Sequence, residues 1–155
     1  MQSKARGFTL IELVVVITIL GILAAVALPR FAALQTNARV AKLSGALGAF
    51  KGAAALAHAA CLAATPQCTT LQPMEGVNIT MTDLYPTADT NGIVTAAGVT
   101  LSASEGYATT GGGGAAGDVL TLQVLGNDPN NCFFTYTAPV SGAAPIYSAP
   151  VTSGC

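Results

Sequence analysis

Apolar residues dominate the start of the chain. They follow one another almost without interruption from Phe8 to Leu28, where Glu12 is the only charged side chain. Such a run has the length of ~20 residues that a helix needs to cross the apolar core of a bilayer. A carboxylate is costly at membrane depth, and ionisable residues there are usually functional and paired. Glu12 is therefore the first candidate site residue, and it requires a partner.

The helical pattern extends well beyond this run, and we predict one helix from Phe8 to near Cys61. Past Pro29 no further proline interrupts the helical spacing. Pro29 itself should kink the helix, because it cannot donate a backbone hydrogen bond. We expect residues 8–29 to form the segment that spans a membrane or fills a filament core. Residues 30–61 should form an amphipathic outer half.

The outer half of the predicted helix has two unlike apolar faces. One face is bulky and should lie on the protein's own sheet; its members are Val40, Leu43, Leu47, Phe50 and Ala54. The nearly opposite face is small, with Ala38, Ala41, Gly45, Gly48 and Gly52. A glycine within a helix costs roughly 1 kcal/mol relative to alanine, whereas small residues let two helices approach closely. The small face is therefore either a contact for another helix or a tolerated surface.

After Cys68 the pattern changes to short strands separated by turn residues. The predicted strands are Val77–Met81, Val99–Leu101, Val119–Leu125, Cys132–Thr137 and Ile146–Val151. Gly111–Gly114 should be a flexible loop and Gly126–Asn131 a turn. A helix followed by antiparallel strands is an α+β layout, and residues 62–155 should form its β-rich head.

Charge is sparse and segregated along the chain. Only 8% of the residues are charged, against about 25% in typical soluble proteins. All six lysines and arginines lie at or before Lys51, whereas Glu12 is the only one of the seven acids that precedes Glu75. Nucleic-acid binding relies on lysine and arginine to release counterions from phosphates. A head without basic residues is therefore an improbable partner for nucleic acid.

Four cysteines beyond an apolar segment indicate an oxidising compartment and disulfide bonds. Three pairings are possible, and the most economical joins Cys61 to Cys68 and Cys132 to Cys155. In the chain-entropy treatment the smaller loop contributes roughly 2.5 kcal/mol and the larger roughly 3.4 kcal/mol. A zinc site is disfavoured, because the spacings fit no common zinc pattern and His58 is the only histidine.

No catalytic constellation stands out in the sequence. His58 lies beside alanines and is expected to serve packing or the surface rather than proton transfer. The oxygen-bearing side chains of Asp118, Asp128, Asn130 and Asn131 do not complete a calcium pattern. We therefore predict a protein that is not an enzyme and needs no cofactor or metal.

The residues before the apolar run carry the positive charges Lys4 and Arg6 and no acid. Under the positive-inside rule they hold this end in the cytoplasm, so that the rest of the chain after the span lies outside. A short basic leader ending in Gly7, followed by Phe8-Thr9-Leu10-Ile11-Glu12, resembles the type IV prepilin family. The resemblance implies that a prepilin peptidase removes residues 1–7 by cutting between Gly7 and Phe8, and that Phe8 is then N-methylated.

The same resemblance implies a filament subunit. Glu12 would take part in assembly, and Gly21 and Pro29 fall where pilins often carry helix-weakening residues. The implied partners are other pilin subunits in a homopolymer and the inner-membrane pilus assembly machinery. The subunit would be stored in the inner membrane with its head in the periplasm, then become part of an extracellular filament for adhesion or motility. The Ala53–Cys61 and Cys132–Thr137 segments and the run to Cys155 are also similar to mannose-sensitive haemagglutinin-type pilins, which implies surface attachment.

Other interpretations of the same residues remain. In a secretory signal peptide, Leu10–Leu23 would be the apolar core and Ala25-Val26-Ala27 the cleavage site, and the product would be an exported binding domain. Glu12 argues against this, because a signal core gains nothing from an acid. A type II secretion pseudopilin, which forms a short periplasmic filament, is disfavoured mildly by the paired cysteines and the incomplete calcium pattern.

Overall fold

The computed structural model describes residues 8–155, so the leader residues 1–7, including Gly7 of the expected cleavage site, lie outside the described part of the chain. One helix, α1, spans Leu10–Ala63. Seven strands follow it: β1 Leu71–Met74, β2 Val77–Thr82, β3 Tyr85–Pro86, β4 Tyr107–Gly111, β5 Val119–Val124, β6 Phe133–Thr137 and β7 Ile146–Tyr147. The predicted α+β class, with a long N-terminal helix and antiparallel strands, is confirmed.

The chain divides into two compact units along α1. The first unit ends at Asn37 and the second comprises Ala38–Cys155. Within the first unit, helical structure is continuous through Pro29. The kink expected at this proline stays a prediction.

The second unit contains two antiparallel sheets. One has the order β1-β2-β3 and the other β4-β5-β6-β7. The β1–β2 turn consists of Glu75 and Gly76, both with positive φ (48° and 83°), as a two-residue type I′ hairpin requires. Asp83 and Leu84 make the corresponding β2–β3 turn, with φ of 45° and 67°.

The core of the second unit forms where one face of α1 packs on the larger sheet. Phe50 is fully buried and meets the rings of Phe134 and Tyr136 edge-on, with centroids 5.2 Å and 6.2 Å apart. The Tyr136 hydroxyl donates a hydrogen bond of 2.6 Å to the Pro86 carbonyl, which joins the two sheets. Burial raises the pKa of Tyr136 well above its usual range. Burying each large side chain contributes roughly 1.5–3 kcal/mol.

The predicted bulky face of α1 is the one that enters this core. Leu43, Phe50 and Ala54 are buried, and Val40 and Leu47 are partly buried against the same cluster. A stripe of residues spaced three and four apart is what an amphipathic helix buries.

Two local predictions were wrong. No strand forms at Val99–Leu101: the Val99 N–H donates to the Val94 carbonyl after a helical turn, and the apolar residues at positions 99 and 101 pack on the core without pairing. The Gly111–Gly114 segment is not a free loop. Gly111 ends β4, the Gly112 N–H donates to the Val119 carbonyl at 2.8 Å and the Gly113 N–H to the Ala88 carbonyl at 2.9 Å.

Strand β7 is shorter than the predicted segment Ile146–Val151, because its continuous ladder with β6 ends at Tyr147. Val151 makes an isolated bridge to Phe133 instead. Strands β1, β3 and β4 were not predicted. Pro73 argues against a strand at β1, because proline cannot donate a backbone hydrogen bond to a neighbouring strand. It is tolerated here because β1 is an edge strand.

Candidate functional site

The first turn of α1 is closed by a reciprocal pair, Thr9 and Glu12. The Thr9 N–H and hydroxyl both donate to Glu12 Oε2, at 2.9 Å and 2.6 Å, and the Glu12 N–H donates back to Thr9 Oγ1 at 3.3 Å. This is a capping box, in which two otherwise unpaired groups at a helix start satisfy each other. The negative charge also lies at the positive end of the helix dipole. The acid therefore has a partner inside its own helix.

The two accepted bonds converge on one oxygen of the carboxylate. Within residues 8–155, Glu12 Oε1 accepts no hydrogen bond. A carboxylate can accept at both oxygens, so the cap leaves room for a further donor. Phe8, whose α-amine the expected cleavage would create, directly precedes the cap and is exposed.

The apolar run that follows the cap is uncovered. Its hydropathy averages 2.8 over an 18-residue window of which none is buried, so among the described residues α1 is the one helix long and apolar enough to cross a membrane. The exposed fraction is 80% at Leu10 and 69% at Leu28. Thr18, a polar residue inside the run, donates its hydroxyl to the Val15 carbonyl at 2.8 Å. A surface this apolar requires lipid or protein as cover.

The small face of α1 is open. Its members Ala38, Ala41, Gly45, Gly48 and Gly52 are exposed, and a Cβ added at Gly45, Gly48 or Gly52 would meet nothing within 4 Å. The same is true of Gly21 in the apolar run. Packing among residues 8–155 therefore does not require glycine at these positions.

The basic residues of the outer helix contact the strand-bearing part of the second unit. Arg39 donates to the Cys155 carbonyl at 2.8 Å, and Lys42 donates to the Glu105 carbonyl while lying 4.3 Å from the centroid of the Tyr107 ring. Burial, together with the nearby Glu105 charge, raises the pKa of the Tyr107 hydroxyl.

Further along α1, Lys51 lies 5.6 Å from the Tyr147 ring centroid. Burial, with Tyr85 as a smaller cause, raises the pKa of Tyr147 to about 12. The Tyr147 hydroxyl is therefore neutral at ordinary pH, and the lysine meets an aromatic face, a contact of the cation–π type.

The structure brings the four cysteines together in two pairs. Cys61 at the end of α1 is bonded to Cys68, with Cα atoms 5.1 Å apart. Cys132 before β6 is bonded to Cys155, with Cα atoms 4.8 Å apart. Hydrogen bonds support the second pair: the Asp128 N–H donates to the Gly154 carbonyl and the Gly154 N–H to the Asn131 carbonyl, at 3.0 Å and 2.8 Å. The larger disulfide thus fixes a loop that backbone bonds also hold.

The histidine serves packing. The His58 ring stacks on Tyr85 with centroids 4.0 Å apart, and its Nδ1 donates to the Leu84 carbonyl at 3.0 Å. It lines a cavity of about 350 Å³ with Asp83 and Ser141, but the ring nitrogen is used to hold the β2–β3 turn.

The side chains that could have supplied oxygen ligands to calcium make local hydrogen bonds instead. Asp128 accepts from the Asn130 N–H at 3.1 Å and from the Asn131 side chain at 2.7 Å, and Asp118 accepts from the Ala115 N–H at 2.8 Å. In the described part of the chain no three histidine, cysteine or acidic residues group so as to hold a metal ion.

Comparison with known proteins places this helix in context. The family model for the prokaryotic N-terminal methylation motif matches residues 2–28. The chain is 48% identical over 54 residues to the type IV narrow pilus major component PilA5 of Thermus thermophilus, which is 35% of this chain and 47% of the relative. It is 46% identical over 52 residues to the type IV major alpha-pilin of Moraxella bovis, covering 34% and 33% of the two chains.

A third relative is the type IV major fimbrial protein FimA of Dichelobacter nodosus, 40% identical over 53 residues and 34% of each chain. The matched part of the chain thus spans between about a third and a half of the length of these relatives. No solved structure matches the chain. The resemblance to type IV pilins is confirmed over about a third of the sequence.

Proposed function

We propose that the protein is a structural subunit of a type IV pilus that polymerises through α1 into an extracellular filament, and that it is not an enzyme. The observation that carries this proposal is an apolar helical surface, exposed from Leu10 to Leu34, on a chain whose second unit is closed by two disulfides. A single copy cannot cover that surface, whereas lipid before assembly and neighbouring helices after assembly can.

Processing would prepare the helix for assembly. A prepilin peptidase would cut between Gly7 and Phe8 and methylate the new amine, which stays cationic. This peptidase and the inner-membrane assembly machinery are the proposed partners, and the stored subunit would keep its second unit in the periplasm. The match to an N-terminal methylation motif supports this step.

Glu12 would then have two roles. In the stored subunit its Oε2 caps the helix through Thr9. In the filament the carboxylate would also pair with a Phe8 amine, of its own or of a neighbouring subunit, because a charge in an apolar core is strongly penalised when unpaired. That pairing would set the axial register of the subunits.

The proposal is tested by locating the protein on cells. Antibody against the second unit should label thin surface filaments along their whole length, and deletion of the gene should remove those filaments. Label confined to the periplasm would indicate a secretion pseudopilin instead. A monomer released into the medium would indicate an exported binding domain.

A further inference from the structure

Arg30 is the basic side chain of α1 that no other residue of the described range 8–155 engages. Arg39, Lys42 and Lys51 each have a carbonyl or an aromatic ring as partner. Arg30 is exposed and no hydrogen bond or ring contact reaches it from residues 8–155. It directly follows the apolar run, where a second molecule has access to it.

Two large apolar side chains share its face of the helix. Positions three and four apart are neighbours on a helix, so Leu34 lies beside both Arg30 and Phe31. The exposed fraction is 61% for Phe31 and 64% for Leu34. We call Arg30, Phe31 and Leu34 the arginine face. It combines an apolar surface with one positive charge.

The second unit has an apolar groove of complementary character. It lies between α1 and the β1–β2 hairpin and has a volume of about 210 Å³. Its apolar lining is Ala53, Leu56, Met74, Val77, Ile79 and Ala96. We call it the hairpin groove. Leu56 and Val77 are 65% and 50% exposed, so this apolar surface is open to a partner.

A carboxylate lies in the lining of the groove at the tip of the hairpin. Glu75 holds the first position of the β1–β2 turn with φ of 48°. Asparagine and glycine suit that left-handed conformation better than glutamate. Within residues 8–155 the Glu75 carboxylate accepts no hydrogen bond. The sequence thus keeps a free negative charge where a neutral residue would fold more easily, and such an outlier motivates a functional hypothesis.

We propose that the hairpin groove of one subunit receives Phe31 and Leu34 of a second copy of this chain, and that Arg30 of that copy pairs with Glu75. The contact rests on the proposed function, since a filament supplies the second copy. The apolar lining decides the choice of groove, and Glu75 supplies the complementary charge. The cavity beside His58 also contains an acid, Asp83, but Ser141 and Gly142 in its lining give an apolar pair less cover.

Charge exchange tests the ion pair. Arg30→Glu and Glu75→Arg should each lower the yield of sheared filaments by about two- to fivefold, the effect of losing one partly exposed ion pair, and the double variant should restore it. Asp83→Arg is the matched control, because it reverses an acid in a comparable hairpin turn outside the groove. Equal losses for Asp83→Arg, or no recovery in the double variant, would overturn the pairing.

Glu75→Asn separates folding from docking. Asparagine suits the turn, so the melting temperature of the protein should stay the same or rise while filament yield falls. An unchanged yield would count against the carboxylate. A lower melting temperature with lower yield would show that Glu75 serves folding only.

Cross-linking tests the geometry. A chain carrying Leu34→Cys and Val77→Cys should give a ladder of disulfide-linked oligomers from intact filaments on a non-reducing gel. The control pair Leu34→Cys and Ile146→Cys should not, although Ile146 is even more exposed than Val77 (66% against 50%), because it lies away from the groove. Equal ladders, or none, would overturn the docking contact while leaving filament formation intact. Absence of filaments from the unsubstituted protein would overturn the proposed function and the contact together.

Discussion

The two disulfides should contribute unequally to the stability of the second unit. Replacing both members of the larger pair, Cys132→Ala with Cys155→Ala, should destabilise the protein more than replacing Cys61→Ala with Cys68→Ala. The sequence separations are 23 and 7 residues. In the chain-entropy treatment these correspond to about 3.4 and about 2.5 kcal/mol of unfolding free energy, a difference of about 1 kcal/mol.

The structure explains why the entropic estimate should apply to the larger pair. Without the bond, the C-terminus is still held by hydrogen bonds of Gly154 with Asp128 and Asn131 and by Arg39 on the Cys155 carbonyl. The folded loop therefore persists, and the loss arises chiefly because the unfolded chain is freer. The larger pair should also show a larger change in denaturant dependence, since its unfolded state expands more.

Tyrosine signals allow this measurement on the whole protein in detergent. The chain has no tryptophan, and its four tyrosines all lie after Ala38, so the tyrosine band of the near-ultraviolet circular dichroism spectrum follows the second unit. The midpoint of thermal unfolding should be about 3–6 °C lower for the Cys132 and Cys155 variant than for the other. If the Cys61 and Cys68 variant were the less stable, the loop-size reasoning would be refuted.

Other predictions concern assembly and pH. Glu12→Gln keeps an acceptor for the cap but removes the charge, so electron microscopy should show no filaments. Thr9→Val, which removes the cap hydroxyl, should only reduce their number. Normal filaments from Glu12→Gln would mean that the acid serves capping alone. Gly48→Ala should stabilise the protein by up to about 1 kcal/mol. Gly48→Leu should impair assembly without unfolding the protein. Normal filaments from Gly48→Leu would mean that the small face makes no close contact with another helix. Burial raises the pKa of Tyr147 from 10.0 to about 12, and it also raises the pKa of Tyr136. Above pH 10 the folded state therefore keeps protons that the unfolded state loses. The free energy of unfolding should be at its full value below pH 10 and should fall above it. A melting temperature constant up to pH 12 would contradict this.

The long helix and its faces could be predicted because their signal is repeated over many turns. Phe50 and Leu43 recur at helical spacing, and packing on the larger sheet uses that face. Strands β5 and β6 could also be predicted, because buried and partly exposed residues alternate along them.

The failures have a common physical cause, which is that tertiary contacts decided the backbone pairing. Val99 and Leu101 alternate like a strand but pack on the core from an unpaired segment. Strand β4 ends in Gly111 and forms because β5 offers it a ladder from Tyr107 onward. Short polar strands of this kind carry little signal of their own.

The candidate site was legible only in part. Glu12 stood out as a charge in an apolar run, yet its partner Thr9 was missed, although the Thr-x-x-Glu spacing of a capping box was present in the sequence. The hairpin groove brings Glu75 beside Leu56 and Val77. It could not be predicted from a local sequence pattern, because its lining residues lie far apart along the chain.

The central claim, that α1 is processed and polymerised into a pilus, is tested most directly by the intact mass and N-terminal sequence of the subunit in sheared surface filaments. We expect a chain that begins at Phe8, carries one methyl group on its α-amine and keeps all four cysteines in disulfides. A mature chain that begins at Leu28, after the Ala25-Val26-Ala27 segment, would contradict it, because the helix proposed to build the filament would then have been removed.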